Sequence, residues 1–341
     1  MDQNIVVDVN FEPVDTEFLD CFEDNIAVLL DHNGIQNANR VFASTWYFDF
    51  CDQDVNLLPK LDYLTLKDRI YTETGFMIHE DSFTNGDYKE IITNHLLNNT
   101  PIIVLGDAYY MPWLTYYEND HNQHSFIVSG INTNTGRVTI IDALKIITPW
   151  GEIAPQRTEV DIDVMIRSIE MLQTTKPMSY YGPKPMSYFY LSRKDTIPFI
   201  NNEKKITTNL EYMLKIEDEQ PVVKYANFYK SHFKDPRYTR KFVSSTNKIA
   251  RDRACYHKWL RDIESPLMTK ELIEEFHETV VKPWKNVSAY AYVLSRSIHK
   301  YEVVPDICFR LLSEKISFAE NTHAQKLNHL LGQVLLGEEK R

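Results

Sequence analysis

Glycine is scarce in this chain: there are ten in 341 residues, eight of them at or before Gly182 and the other two at Gly332 and Gly337. Beyond Gly182, few positions adopt φ > 0 cheaply, which argues against a turn-rich sheet there and for helices. Cysteine is scarcer still. Cys21, Cys51, Cys255 and Cys308 are too few and too scattered for a disulfide framework, and no CxxC pair marks a zinc site, so free thiols and no metal are expected. No run of about 18 uncharged apolar residues occurs, so no membrane span is expected. The opening MDQNIVVDVNFEPVD has neither the basic region nor the apolar core of a secretory signal, and the expected location is the cytoplasm. Positive charge is also short. A formal net charge of −11 argues against nucleic acid as the main partner, because that affinity depends on neutralising phosphates. With no P-loop, dinucleotide fingerprint or repeat, the remaining partners are small molecules and proteins.

What is present divides in two. Up to about residue 195 the pattern is mixed: a helix near 18–33, a strand PIIVLGD at 101–107, two strands within 123–143, a helix near 160–173 and a last strand SYFYLSR. That predicts an α+β domain over 1–195. After the polar NNEKK, apolar residues recur at helical spacing through TNLEYMLKI, VVKYANFYKSHF, YHKWLRDI, KELIEEFHETVV, AYAYVLSRSI and QKLNHLLGQVLL. A mostly α-helical C-terminal domain of five to seven helices over 206–337 follows.

The stretch QHSFIVSGINTNTGRVTIIDA, 123–143, reads as a hairpin around NTNTG. Centred on Thr133, it sets Val128 opposite Val138, Phe126 opposite Ile140, and His124 opposite Asp142, all on one face because side chains alternate with period two. Cross-strand neighbours of this kind are close enough for an imidazole to bond a carboxylate. Such a bond fixes the tautomer and leaves the second ring nitrogen free to act as a base; alternatively the two are a polar pair capping a hairpin. His121, three residues earlier, lies in the loop and has no evident carboxylate partner.

A nucleophile for His124 is sought upstream, in EFLDCFEDNIAVLLDHNG. Phe18, Phe22, Ile26 and Leu30 form an i, i+4 stripe, Asp20 suits an N-cap and Gly34 a C-cap. Cys21 then falls in the first turn, where the positive end of the helix dipole favours a thiolate. Glu23 and Asp24 work against it, and a buried structural cysteine is the other reading. Cys51, after WYFDF, and Cys255 and Cys308, within helical patterns, are weaker choices.

Cysteine at a helix start, histidine in HSFIVSG and aspartate closing the next strand form an order that resembles papain-like cysteine enzymes, with a spacing that suits the peptidase C39-like branch. DCFEDNIAVLLDHNG, NTPIIVLGDAYYMPW at 99–113, HSFIVSG and VTIIDA together resemble the N-terminal domain of the butirosin biosynthesis protein H family over about the first 195 residues. The resemblance implies a papain-like N-terminal domain and assigns Cys21, His124 and Asp142 as catalytic residues. It also implies transfer of an acyl group from a carrier-protein thioester, presented on phosphopantetheine, to a small amine in specialised-metabolite biosynthesis, without another cofactor. Where papain-like enzymes hold an oxyanion-donating glutamine, this chain has Asp15.

The aromatic segment AYYMPWLTYY, with Asp107 before it, is expected to wall the site and exclude water; Asp107, Tyr109, Tyr110 and Trp113 are its expected substrate contacts. Residues 232–262 carry nine Lys or Arg against three Asp. Arg251, Arg253 and Lys258 in that stretch are the expected dock for an acidic acyl or peptidyl carrier protein. A peptidase or amidase using the same triad, and a catalytically silent binding module, are the competing expectations.

Overall fold

The computed structural model describes residues 4–13, 19–38, 40–43, 45–53, 58–62, 64–84, 86–148, 150–175, 186–194, 202–216, 220–263, 265, 268–297 and 306–338. Two compact units divide the chain. The first comprises Met1–Val41 and Leu66–Pro198, the second Phe42–Thr65 and Phe199–Arg341.

Through the first unit and its boundary the order is β1 (Val6–Asp8), α1 (Cys21–His32), α2 (Arg40–Ala43), α3 (Leu66–Thr74), β2 (Phe76–Ser82), α4 (Tyr88–Leu97) and β3 (Ile102–Asp107). A 3-10 turn, Ala108–Tyr110, leads on to β4 (Gln123–Asn132), β5 (Arg137–Asp142), β6 (Ile146–Thr148), β7 (Gly151–Ile153), β8 (Gln156–Asp161), α5 (Ile162–Thr175) and β9 (Ser187–Arg193). The main sheet runs β2-β9-β3-β4-β5-β8, with β1 pairing the far end of β4, and every pairing in it is antiparallel. It is an α+β unit with helices on both faces. On one face α1 is tied down by Asn25 Nδ2 donating to Ser125 Oγ at 3.1 Å and by Phe22 set edge-on to Phe189. On the other, Ile92 and Leu96 of α4 and Met165 and Ile169 of α5 share a core with Val104, Phe126, Val128 and Ile140. Cover on both faces explains why all of β3 is buried and why its residues Ile102 to Leu105 read as a continuous apolar run rather than an alternating one.

The β4–β5 hairpin forms, but in a register other than the expected one. Val138 pairs with Ile131 and Ile140 with Val128, and the register shifts between Val128 and Gly130. That shift is a β-bulge holding Ser129 as the extra residue. It decides which face His124 occupies: had the register nearer the turn continued, the odd-numbered residues of β4 would share a face with Ile140 and Asp142. The bulge gives that place to Val128, Phe126 and His124. Gly130 fits at the bulge because its paired residues on both sides, Thr139 of β5 and Asp8 of β1, crowd it: a Cβ would stand 2.7 Å from Thr139 Oγ1 and 2.9 Å from Asp8 Oδ1.

In the second unit, α6 (Asn202–Ile216), α7 (Pro221–His232) and α8 (Pro236–Asp262) precede α9 (Lys270–Phe276), which continues through a π turn into α10 (Lys282–Ser297). Likewise α11 (Ile307–Arg310) continues through a second π turn into α12 (Ser317–Glu338). Five continuous helical rods result among the described residues. One departure from the linear division concerns WYFDF, which lies in the helical unit. Trp46 stacks on Tyr256, and Phe48 and Phe50 meet Tyr225 edge-on. Asn209 Oδ1 accepts from the Trp46 amide at 2.7 Å.

Arg253 corrects the expected carrier dock. It is 0% exposed, bonded to Glu320 through Nε at 2.9 Å and Nη2 at 3.1 Å, and to the Tyr47 carbonyl through Nη1 at 3.2 Å. Trp284 Nε1 adds a 2.8 Å bond to the same carboxylate. A cation enclosed and paired in this way is unavailable to a docking partner; Arg251 and Lys258 are half-buried on the same helix. Arg253→Ala leaves the Glu320 carboxylate buried without its cation, and the expected loss of stability is about 3–5 kcal/mol, read as a lowered urea midpoint.

Candidate active site

Cys21 is the first residue of α1, and the helix start is set by its neighbours. Asp20 Oδ1 accepts from the amides of Phe22 and Glu23, each at 3.0 Å, while Glu23 Oε2 accepts from the Asp20 amide at 3.4 Å, completing a capping box. Glu23, expected to oppose a thiolate, is thus turned to the cap. The cap uses the amides of Phe22 and Glu23 and leaves that of Cys21 unspent. Cys21 is half-buried, Cys51 exposed, and Cys255 and Cys308 buried; burial pushes the Cys308 thiol up to about 12.

His124 and Asp142 are 2% and 0% exposed, with Nε2 2.7 Å from Oδ2. Continuing the observed register sets Asp142 level with Phe126, so the contact runs along the diagonal, a span that an aromatic ring bridges. Trp113 Nε1 donates to the same Oδ2 at 3.0 Å, and the Leu144 amide donates to Oδ1 at 3.2 Å. Trp113, expected to touch substrate, therefore lies against the carboxylate and packs edge-on to Phe126. Its carbonyl accepts from Gln156 Nε2 at 2.9 Å, and Gln156 is the residue paired with Asp142 across the ladder.

With Nε2 engaged by Asp142, Nδ1 is the ring nitrogen left for Cys21, whose side chain is close enough to influence the imidazole. Burial by itself disfavours the imidazolium. The Asp142 carboxylate, followed by Cys21, outweighs it and raises the His124 pKa to about 10. Tyr116 stands near the same sulfur: burial first, then Asp120 and Cys21, raise its phenol pKa, against a lowering hydrogen bond from Asn122.

A second imidazole–carboxylate pair lies alongside. Asp107, 0% exposed, is 2.8 Å from His121 Nδ1, so His121 does have a carboxylate partner, contrary to the expectation from sequence. Asp107 Oδ1 also accepts from the Tyr109 amide at 3.1 Å, capping the 3-10 turn. Tyr109 stacks on the His121 ring at 4.3 Å and 18°, while Tyr110 lies under the Arg167 guanidinium at 5.0 Å. The topology explains the proximity. β3 and β5 both run antiparallel to β4, so their last residues, Asp107 and Asp142, end beside its start. The sequence signal for His121 was the aspartate closing PIIVLGD, which period-two reasoning within one hairpin does not reach.

Asp15 and Phe18 lie outside the described residues. Among those described, Glu274, His277 and Glu278 in the second unit come within reach of a single cation, but Glu278 Oε2 already accepts from Lys282 at 2.7 Å. No protein-family model matches the chain, and no match is found among curated proteins.

Two outcomes are expected. Iodoacetamide at neutral pH should alkylate Cys21 faster than the more exposed Cys51, and His124→Ala should remove that advantage; equal rates in the wild type would show that the imidazole does not activate the thiol. Because the folded His124 pKa lies above its ordinary 6.5, its proton stabilises the native state fully below about pH 6.5, and that contribution fades as pH rises toward about 10. Urea midpoints across this range should therefore fall more steeply in the wild type than in His124→Gln.

Proposed function

We propose that the first unit is a cysteine-dependent acyltransferase, in which Cys21 accepts an acyl group from a thioester and passes it to an amine. The observation that carries this reading is the chain of contacts from Asp142 through the His124 ring to Cys21 at a helix start. Asp142 holds the ring, and His124 shuttles the proton between Cys21 and the leaving thiol and then the incoming amine. The unspent Cys21 amide is one donor for the oxyanion of the tetrahedral adduct. Thioester exchange is close to neutral in free energy and aminolysis of a thioester runs downhill, so the sequence needs no nucleotide. Burial of His124 and the Trp113 cover over Asp142 favour transfer over hydrolysis, because both limit water at the proton-handling groups.

The resemblance to the butirosin biosynthesis protein H family, and through it to a papain-like fold, supports the same reading. It further names the donor as an acyl or peptidyl carrier protein bearing phosphopantetheine and the acceptor as a small amine of specialised metabolism.

Intact-protein mass spectrometry after mixing with acyl thioesters of N-acetylcysteamine should show one acyl adduct, mapped to Cys21 and absent from Cys21→Ala. Adding an amine should then discharge it mainly as amide. Discharge mainly as free acid would make the protein a hydrolase, and an unmodified Cys21 with function intact in Cys21→Ala would make it a binding module.

A further inference from the structure

We propose that His121, held by Asp107, is the general base that takes the first proton from the acceptor amine, a role separate from that of His124. This rests on the acyl-enzyme reading above. An alkylammonium ion must lose one proton to become a nucleophile and a second after it has added to the carbonyl. A single imidazole holds one of them. His124 is committed to the second, since receiving that proton restores its pairing with Cys21. Its side chain, 3% exposed, is also closed to an ion arriving from solvent.

His121 has what the first transfer needs. Its side chain is 47% exposed, while the carboxylate behind it is 0% exposed. The Asp107 contact at Nδ1 makes that nitrogen the donor and leaves Nε2 as the acceptor. The stacked Tyr109 ring fixes the imidazole plane, and Tyr110 stands 6.1 Å away. His124 follows His121 by three positions, so their Cα atoms lie no more than about 11 Å apart. The Asn122 carbonyl, next to His121, accepts from the Ala108 amide at 2.8 Å, and Ala108 belongs to the core cluster against which Cys21 and Tyr116 pack.

The protons balance as follows. The ammonium gives one proton to His121 Nε2, which releases it to solvent. The free amine adds to the thioester carbonyl on Cys21, and the adduct nitrogen gives its extra proton to neutral His124. The carbon–sulfur bond then breaks, leaving amide, Cys21 thiolate and His124 imidazolium.

The test uses the full chain acetylated on Cys21 by p-nitrophenyl acetate, which acylates thiolates without specific recognition, and follows loss of the acetyl group by mass spectrometry. Two acceptors are compared: ethylamine, an alkylamine with a pKa close to that of lysine at about 10.4, and methoxyamine, whose nitrogen is already unprotonated at neutral pH. His121→Gln should slow discharge to ethylamine about 100-fold while changing discharge to methoxyamine by no more than about twofold. A urea midpoint matched to the wild type shows that the variant is folded. Equal slowing with both amines would make His121 a positioning residue and overturn the proposal, as would no slowing with either. If the wild type forms no acetyl-Cys21, the acyl-enzyme reading itself fails, an outcome distinct from any difference between the variants.

Discussion

The arrangement around Cys21 depends on one buried contact, the 2.7 Å bond between His124 and Asp142. A carboxylate enclosed at the end of β5 is costly unless its oxygens are satisfied, and here three donors converge on it: an imidazole, an indole and a backbone amide. Each donor fixes something else. The imidazole is turned so that its other nitrogen is left for Cys21, the indole pins the segment after β3, and the amide shapes the exit from β5. The extra residue at Ser129 is the backbone condition for all of this, because it sets which side of β4 the histidine occupies.

The two imidazole–carboxylate pairs share a chemistry and differ in their access to water. Both carboxylates end strands that flank β4 and both are fully enclosed. Only one of the two histidines is. Enclosure by itself lowers the proton affinity of His124, but Asp142 and Cys21 more than reverse that, and the same enclosure confines its exchange to partners already in the site. Exposure leaves His121 able to meet ions that arrive from outside, which is why a division of labour between them is physically sensible.

Much of this geometry was legible in the sequence, in proportion to how local it is. The start of α1 is written in four consecutive residues, Asp20 to Glu23, because a capping box is satisfied within a single turn. The alternation that brings His124 and Asp142 to one face was readable as well, but the route was not. A bulge at Ser129 and Gly130 has no distinct pattern in a run of apolar and small residues, and the expected pairing differed from the observed one by two to three positions. Arg253 was misread for a related reason: in a basic stretch it looks like surface charge, and the carboxylate that draws it inward is 67 residues away. The Asp107–His121 pair joins two segments that were read separately.

The placement of Trp46, Phe48 and Phe50 has a consequence for how this chain can be divided. The polypeptide leaves the first unit after Val41, contributes a rib of aromatic side chains to the helical unit, and returns at Leu66. No single cut separates the two units. A fragment ending at Pro198 would carry that rib without the tyrosines that enclose it, and one beginning at Phe199 would lack Trp46 from its core. The helical unit is therefore not a continuous stretch that can be excised or transplanted whole, because its core includes a segment embedded between α1 and α3.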